Sequence, residues 1–272
     1  MLEREYKKIP LEGIIPEGYM KRQLETQARG LTGNIRFVWD DLSDNSAWLG
    51  GDGEAWERGP YYLDGLIPLS VLLDDDTLKA EVSKWVNSIL ERQQPSGFFG
   101  PACNHDWWPR MVVLKAFTAY YHLTKDERII PFMDKYLEYQ YKKLDEYPLE
   151  MWASARALEV IEAIALVYEK TGKESLPLLT RKLKKYMYDW FECFDEFPYT
   201  KTAGHYISKT LFNIVKKVYI QVEKATKKNH TIKKPKSAKR ILRYNNARLV
   251  KDKTMLHGVN IAMALKYPVT YG

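Results

Sequence analysis

Residues 59–90 read GPYYLDGLIPLSVLLDDDTLKAEVSKWVNSIL, and this stretch decides the fold. Residues 58–73 carry a proline suited to a first helical turn and are apolar nearly all round. After an acidic turn at residues 74–76, residues 77–92 are amphipathic, with charged side chains opposite one apolar stripe of Leu78, Val82, Trp85, Val86, Ile89 and Leu90. A helix that is buried on all sides, followed by a helix with one solvent-exposed face, predicts an αα-hairpin.

The same couplet recurs twice along the chain. The apolar helices, which we call the inner helices, start near residues 58, 109 and 153. These starts are 51 and 44 residues apart, and such spacings are typical of stacked αα-hairpins. We therefore predict an all-α fold, a partial (α/α)6 barrel, and the pattern leaves an open solenoid as the alternative. The apolar helices of the two later couplets are 109–123 and 152–169, and the amphipathic ones are 127–143 and 174–190.

One more helix is predicted before the hairpins, over residues 18–29, where it ends at a glycine. The stretch that follows, residues 31–57, is rich in glycine and aspartate and is predicted to be a long loop. Long loops inside compact domains are commonly functional, so this segment is a candidate part of a site.

The charge of the chain is unevenly distributed. The 272 residues carry a formal net charge of +7, yet residues 201–253 alone hold 16 Lys and Arg against two acids. The rest of the chain is therefore acidic. We predict that residues 1–200 form the N-terminal part of the barrel and that residues 201–254 are a disordered basic insertion or a segment of non-genuine origin. Residues 255–272 would begin the next inner helix; polyanion binding by the insertion is the alternative.

Several classes of function lack their sequence signals. The N-terminus has no apolar leader and no run approaches the roughly 18 apolar residues of a membrane span, so we expect a cytoplasmic protein without a membrane partner. Secretion is the alternative if an upstream segment is missing. Cys103, Cys193 and the five histidines show no metal-ligand spacing, so no metal or cofactor is expected within this chain. Phosphate-binding loops and serine-hydrolase or zincin motifs are also missing from the sequence.

Each inner helix starts with the same kinds of side chain. The starts read GDGEAWER at residues 51–58, DWWPR at 106–110 and EMWASAR at 150–156, so each brings Trp, Arg and a carboxylate. Because parallel inner helices bring their starts to one end, we predict a sugar site there: indole rings stack on sugars, whereas carboxylates and guanidinium groups bind hydroxyls. The candidate residues are Glu54, Trp56, Glu57, Arg58, Asp64, Trp107, Trp108, Arg110, Trp152, His257 and Asn260.

A purely structural interpretation competes with this one. Tryptophan at a helix start is often a hydrophobic staple, and Arg–Glu pairs often only fix loops. Asp64 lies two turns into its helix, where a salt bridge to Arg110 is as good an explanation as a ligand contact.

An ordered series of motifs resembles the family 127 glycoside hydrolases, which are β-L-arabinofuranosidase-like. The motifs, in chain order, are IPEGY at 15–19, QLETQ at 23–27, GLTG at 30–33, GEAWERGPY at 53–61, WWPRM at 107–111, HGVN at 257–260 and ALKYP at 264–268. The resemblance covers about residues 1–200 and 255–272. The WERGP and WWPR motifs depart from those of characterised arabinofuranosidases and look like a divergent branch.

The resemblance implies an (α/α)6 barrel acting on or binding arabinofuranoside-type plant glycans, with an oligosaccharide or glycoside as partner. Characterised relatives use a cysteine nucleophile held by zinc and an acid/base glutamate, all expected C-terminal to residues 257–260, so this chain is expected to be truncated before them. His257 matches a family histidine that lines the sugar pocket. A non-catalytic αα-solenoid that binds a glycan or a protein is the main alternative. A nucleic-acid partner is not expected, because the basic segment lacks aromatic platforms.

Overall fold

The computed structural model describes residues 13–190, 194 and 257–266. These residues form helices, turns and connecting segments, and no strand occurs among them, so the predicted all-α class is confirmed for this part of the chain. The chain divides into a first unit, Met1–Met187 with Leu265–Gly272, and a second unit, Tyr188–Ala264. The predicted basic insertion lies outside the described residues.

The described residues of the first unit form three helical hairpins in chain order. They are preceded by α1 (Gly18–Arg29) and α2 (Leu31–Asn34). The hairpin helices are α3 (Arg58–Leu72) with α4 (Asp76–Glu91), α5 (Trp107–Thr124) with α6 (Ile129–Lys143), and the pair α7 (Met151–Ala155) and α8 (Ile161–Thr171) with α9 (Ser175–Tyr186). In the second unit, α10 spans Gly258–Ala264.

The hairpins form two layers, as the apolar patterns predict. Helix α5 packs against α3 on one side and α8 on the other, whereas α4, α6 and α9 pack outside them. The first 12 residues of α5 are buried except Lys115, but α4 buries one face only, through Leu78, Glu81, Val82, Trp85, Val86 and Ile89. The apolar surface removed from water by the inner helices is thus the main source of stability.

Two polar contacts establish that α3 and α5 run parallel and in register. Trp108 Nε1 donates to Glu57 Oε2 at 2.5 Å, and one helical heptad further Lys115 Nζ donates to Asp64 Oδ2 at 2.7 Å. Both contacts join residues that are 51 positions apart, which is the spacing between the first two helix starts in the sequence. An antiparallel pair could not keep the same separation at both contacts, so the leading ends of α3 and α5 lie side by side.

The third inner helix differs from its prediction. Residues 152–169 were expected to form one helix, but α7 ends at Ala155 and a 3₁₀ segment, Ala157–Val160, precedes α8. Arg156 lies at the break itself, with φ −116° and ψ 15°, and separates α7 from the 3₁₀ segment. The two charged side chains of this region have different partners, since Arg156 lies near Glu57 whereas Glu159 pairs with Lys266.

The long loop at residues 31–57 has more structure than the sequence indicated. It contains α2 and the 3₁₀ turns Ile35–Phe37, Asp40–Leu42 and Ala47–Leu49. Asn45 holds its glycine-rich end, because its carbonyl oxygen accepts the N–H of Gly53 at 2.7 Å. A Cβ at Gly51 would lie 2.2 Å from the same carbonyl oxygen, so only glycine fits there.

The outer helix α4 allows a simple stability test. Asp75 caps it, since its Oδ1 accepts the N–H of Leu78 at 3.0 Å. We expect Asp75→Ala to lower the free energy of unfolding by about 1 kcal/mol, the usual cost of losing such a cap. Urea denaturation followed by circular dichroism measures this. Thr77→Ala, an exposed change in the same helical turn, is the control and should alter stability by less than about 0.5 kcal/mol; equal effects of the two changes would contradict the capping role.

Candidate functional site

The starts of the inner helices are tied together by reciprocal hydrogen bonds from tryptophan to carboxylate. Trp56 lies just before α3 and Asp106 lies just before α5. The indole Nε1 of Trp56 donates to Asp106 Oδ2 at 2.8 Å. In the other direction, Trp108 Nε1 at the start of α5 donates to Glu57 before α3. Asp106 also caps α5 by accepting the N–H of Trp108 at 3.0 Å. The predicted convergence of Trp56, Glu57 and Trp108 is therefore present.

Arg156 joins the third helix start to the first two. Its guanidinium carbon lies 4.6 Å from the ring centroids of both Trp108 and Trp152, and its Nη1 lies 3.6 Å from Glu57 Oε2. Arg156 is only 6% exposed. A cation held between two indoles and beside a carboxylate is fixed in place. We call Glu57, Trp108, Trp152 and Arg156, together with Tyr61, the helix-start cluster.

Tyr61 is the member of the helix-start cluster that faces solvent most openly. It is 38% exposed, its ring centroid lies 6.1 Å from that of Trp108, and Arg156 Nη1 donates to its hydroxyl oxygen at 3.4 Å. Desolvation raises the pKa of Tyr61 to about 12, against the opposing charge of Arg156. The phenol is therefore neutral at physiological pH and can both donate and accept a hydrogen bond.

Further along the same face of α3, Asp64 forms an ion pair. Its partner is Lys115 of α5, so the alternative of a salt bridge to Arg110 was wrong in the choice of partner. Glu159 in the 3₁₀ segment is buried and pairs with Lys266. Lys115, Arg156 and Lys266 each have a carboxylate beside them, so these three pairs carry no excess positive charge.

Glu54 and Arg58 organise the start of α3. The carboxylate of Glu54 accepts the backbone N–H groups of Glu57 at 3.0 Å and Arg58 at 3.2 Å, which satisfies donors that a helix start leaves unpaired. Arg58 pairs with Asp41. Desolvation acts to raise the pKa of the Asp41 carboxyl, but hydrogen bonds from Arg58 and the backbone of Glu54 hold the pKa below its usual range.

Two predicted residues lie away from the helix-start cluster. Arg110 is completely buried and donates to the carbonyl oxygens of Phe99, Pro101, Asn104 and Asp106 at 2.7–3.2 Å. Desolvation lowers the pKa of Arg110 to about 10, so it remains charged at neutral pH. Trp107 donates to the carbonyl of Tyr147 at 2.8 Å and packs on Tyr136 and Tyr139. The structure gives both residues the role of holding loops to α5.

His257 and Asn260 belong to the second unit. His257 is exposed, and its Nδ1 accepts the N–H of Val259 at 3.3 Å, as a capping group at the start of α10 does. Asn260 is buried within this short helix. Their predicted contribution to a sugar pocket stays a prediction.

Tyr61 of the helix-start cluster was not among the predicted residues. Sequence reasoning also missed Arg156 of that cluster and Asp106, which accepts the indole N–H of Trp56. Both stood in the quoted helix starts, and the signal that could have identified Arg156 is its position four residues after Trp152, on the same helical face. Arg110 lies three residues after Trp107, and its guanidinium instead donates to carbonyl oxygens of the loop that precedes α5.

The described part of the chain contains no group of three His, Cys, Asp or Glu side chains that could hold a metal ion. Among these same residues, no helix is long and apolar enough to cross a membrane. Cys103 is exposed, and Cys193 lies outside the described residues. Comparison of the chain with protein-family models, curated proteins and solved structures gives no match.

Proposed function

We propose that the helix-start cluster binds a carbohydrate and that the three hairpins are the N-terminal part of an (α/α)6 barrel related to family 127 glycoside hydrolases. The observation that carries the proposal is Arg156, held between two indoles and against Glu57 beside the exposed ring of Tyr61. Aromatic faces next to fixed polar groups are what a sugar requires, because its C–H surface stacks and its hydroxyls bond in the same contact.

The proposed ligand is an arabinofuranoside-type plant glycan. The family resemblance supports the sugar class, and the balanced charges of the Asp64–Lys115 and Arg156–Glu57 pairs support a neutral ligand over an acidic one. An acidic sugar would have to displace a carboxylate from its cation, whereas neutral hydroxyls can bond to the outer oxygens of pairs that remain intact.

We assign binding and not hydrolysis to the described residues. The cysteine, zinc and acid/base glutamate of the family have no counterpart among the motifs that carry the resemblance. In a protein that keeps the whole family machinery, the helix-start cluster would orient the glycoside while other residues perform the bond cleavage.

The second candidate is a non-catalytic αα-solenoid that binds a glycan or a protein. Its support is the constant 51-residue register between α3 and α5, a property that open stacks of hairpins share with closed barrels. A hydrolysis assay separates the two candidates only in a protein that carries the whole family machinery, where release of arabinose from a glycoside would exclude the non-catalytic candidate.

The binding test is a calorimetric titration of the chain with arabinofuranosides. We expect measurable binding of the sugar and no comparable binding of a polyanion such as heparin at physiological salt. Tyr61→Ala should weaken sugar binding about five- to tenfold, because an aromatic contact contributes about 1 kcal/mol.

Tyr121→Ala is the matched control, since Tyr121 lies on α5 about 20 Å from Trp108 at the other end of the helix. This change should leave the affinity for arabinofuranosides unaltered. Equal losses in the two variants, or preferential binding of the polyanion, would contradict the proposed function.

A further inference from the structure

An exposed aromatic residue that the sequence did not single out lies next to the helix-start cluster. Trp39 is 41% exposed and stands between the 3₁₀ turns Ile35–Phe37 and Asp40–Leu42. An exposed tryptophan on a loop is ordinarily mobile and contributes little. Trp39 differs because two neighbours fix its ring.

Both neighbours bind Trp39 through polar groups and leave part of the ring accessible. The indole Nε1 donates to Asp41 Oδ2 at 3.0 Å, and the guanidinium carbon of Arg58 lies 5.0 Å from the ring centroid. Asp41 is held in turn, because it also pairs with Arg58 and accepts the N–H of Glu54 at 3.0 Å. The ring orientation is therefore set before any ligand arrives, which reduces the entropy lost on binding.

The same contacts place Trp39 beside the helix-start cluster. Arg58 follows Glu57 directly in the chain, so the residue that stacks on Trp39 is one Cα step, about 3.8 Å, from the residue that binds Trp108. Glu54 links the two sides, since its N–H binds Asp41 while its carboxylate caps Glu57. Arg58, which stacks on Trp39, and Tyr61 are three positions apart in the first turn of α3, so they are neighbours on one face of this helix.

We propose that Trp39, with Arg58 and Asp41, forms a second sugar-binding subsite, so that the ligand is an oligosaccharide spanning at least two sugar units. This inference rests on the proposed carbohydrate function and adds the length of the ligand. One unit occupies the helix-start cluster, and a neighbouring unit stacks on Trp39 while Arg58 and Asp41 bind its hydroxyls.

The test measures how affinity depends on ligand length. The complete chain is titrated with mono-, di- and tri-arabinofuranosides by calorimetry. The wild-type protein should bind the longer ligands about tenfold more tightly than the monosaccharide. Trp39→Ala should abolish this gain and leave monosaccharide affinity unchanged, whereas Trp39→Phe, which keeps a ring, should retain most of the gain.

Phe37→Ala is the matched control, because Phe37 is 70% exposed on the adjacent turn and its ring contacts its neighbour Arg36. It should leave the length dependence intact. Circular dichroism of all variants should be that of the wild type, as expected for exposed residues.

The possible failures are distinguishable. If the wild type binds none of the sugars, the proposed function fails and the subsite with it. If it binds all lengths alike, or if Trp39→Ala keeps the length dependence, only the subsite is overturned. Sedimentation of the wild type and the variants tests a further outcome. If the chain self-associates and both Trp39→Ala and Phe37→Ala abolish the self-association, this surface is a protein interface and the subsite is overturned.

Discussion

Replacing Arg110 with methionine is expected to lower the free energy of unfolding by about 3–5 kcal/mol. The side chain is 0% exposed, and its guanidinium fills the space between the start of α5 and the preceding loop, with its carbon 4.1 Å from the ring centroid of Phe98. Methionine has a similar length but no donors. The apolar packing would be largely kept, so the loss reports the hydrogen bonds.

The cost arises from the acceptors that the guanidinium leaves behind. Four carbonyl oxygens, of Phe99, Pro101, Asn104 and Asp106, receive its N–H groups. Each buried acceptor that loses its partner costs about 1–3 kcal/mol unless water reaches it. Burying the guanidinium charge is itself unfavourable, and the lowered pKa of Arg110 reflects this cost. The loss of several hydrogen bonds exceeds what the protein gains by no longer burying the charge.

Urea denaturation followed by tryptophan fluorescence measures the change. Arg110→Lys should be nearly as destabilising, because a single ammonium cannot reproduce the fork of a guanidinium. Arg128→Met is the control, since Arg128 pairs with Asp126 at an exposed position, and it should cost less than about 1 kcal/mol. A loss below about 1 kcal/mol for Arg110→Met would show that the loop rearranges or hydrates without it.

The helices could be predicted because their signals are local. The apolar stripe of α4 and the all-round apolar character of α3 depend on side chains in one segment, and both helices lie within two residues of their predicted bounds. The 51-residue spacing between the first two helix starts recurs in both contacts between α3 and α5, because the two parallel helices begin at the same end of the layer.

The site could be predicted only in part, because side-chain partners depend on loop geometry. Trp56, Glu57 and Trp108 lie together as expected from their positions at helix starts. Arg110 also lies at a helix start, but several carbonyl oxygens of the turns before α5 point towards its guanidinium and accept its N–H groups. No composition or spacing records which way a carbonyl points.

Trp39 and Arg156 illustrate two further limits. The orientation of the Trp39 ring depends on Asp41 and Arg58. The contact with Arg58 joins residues 19 positions apart across a loop without periodicity, so the sequence does not reveal it. Arg156 lies at a helix break that the apolar pattern of residues 152–169 does not reveal, because a 3₁₀ turn and an α-helical turn bury similar side chains. Both residues became visible only from the folded backbone.

Glu57 and Arg156 should show strong energetic coupling in a double-mutant cycle. Glu57→Gln keeps an oxygen for Trp108 Nε1 but removes the charge, and we expect it to cost roughly 2 kcal/mol because the nearly buried Arg156 loses its anionic neighbour. Arg156→Met should cost roughly 2–3 kcal/mol, since it also removes the cation between the rings of Trp108 and Trp152.

The double variant should cost about 1–2 kcal/mol less than the sum of the two single changes, because the second change removes a partner already lost. Urea midpoints for the four proteins give this coupling energy. Lys143 and Glu146, an exposed pair on and just after α6, provide the control cycle, in which coupling should stay below about 0.5 kcal/mol. Additive costs for Glu57 and Arg156 would mean that each is held in place independently of the other. The cluster would then be a set of separate packing contacts, without the prearranged pair that the carbohydrate proposal requires.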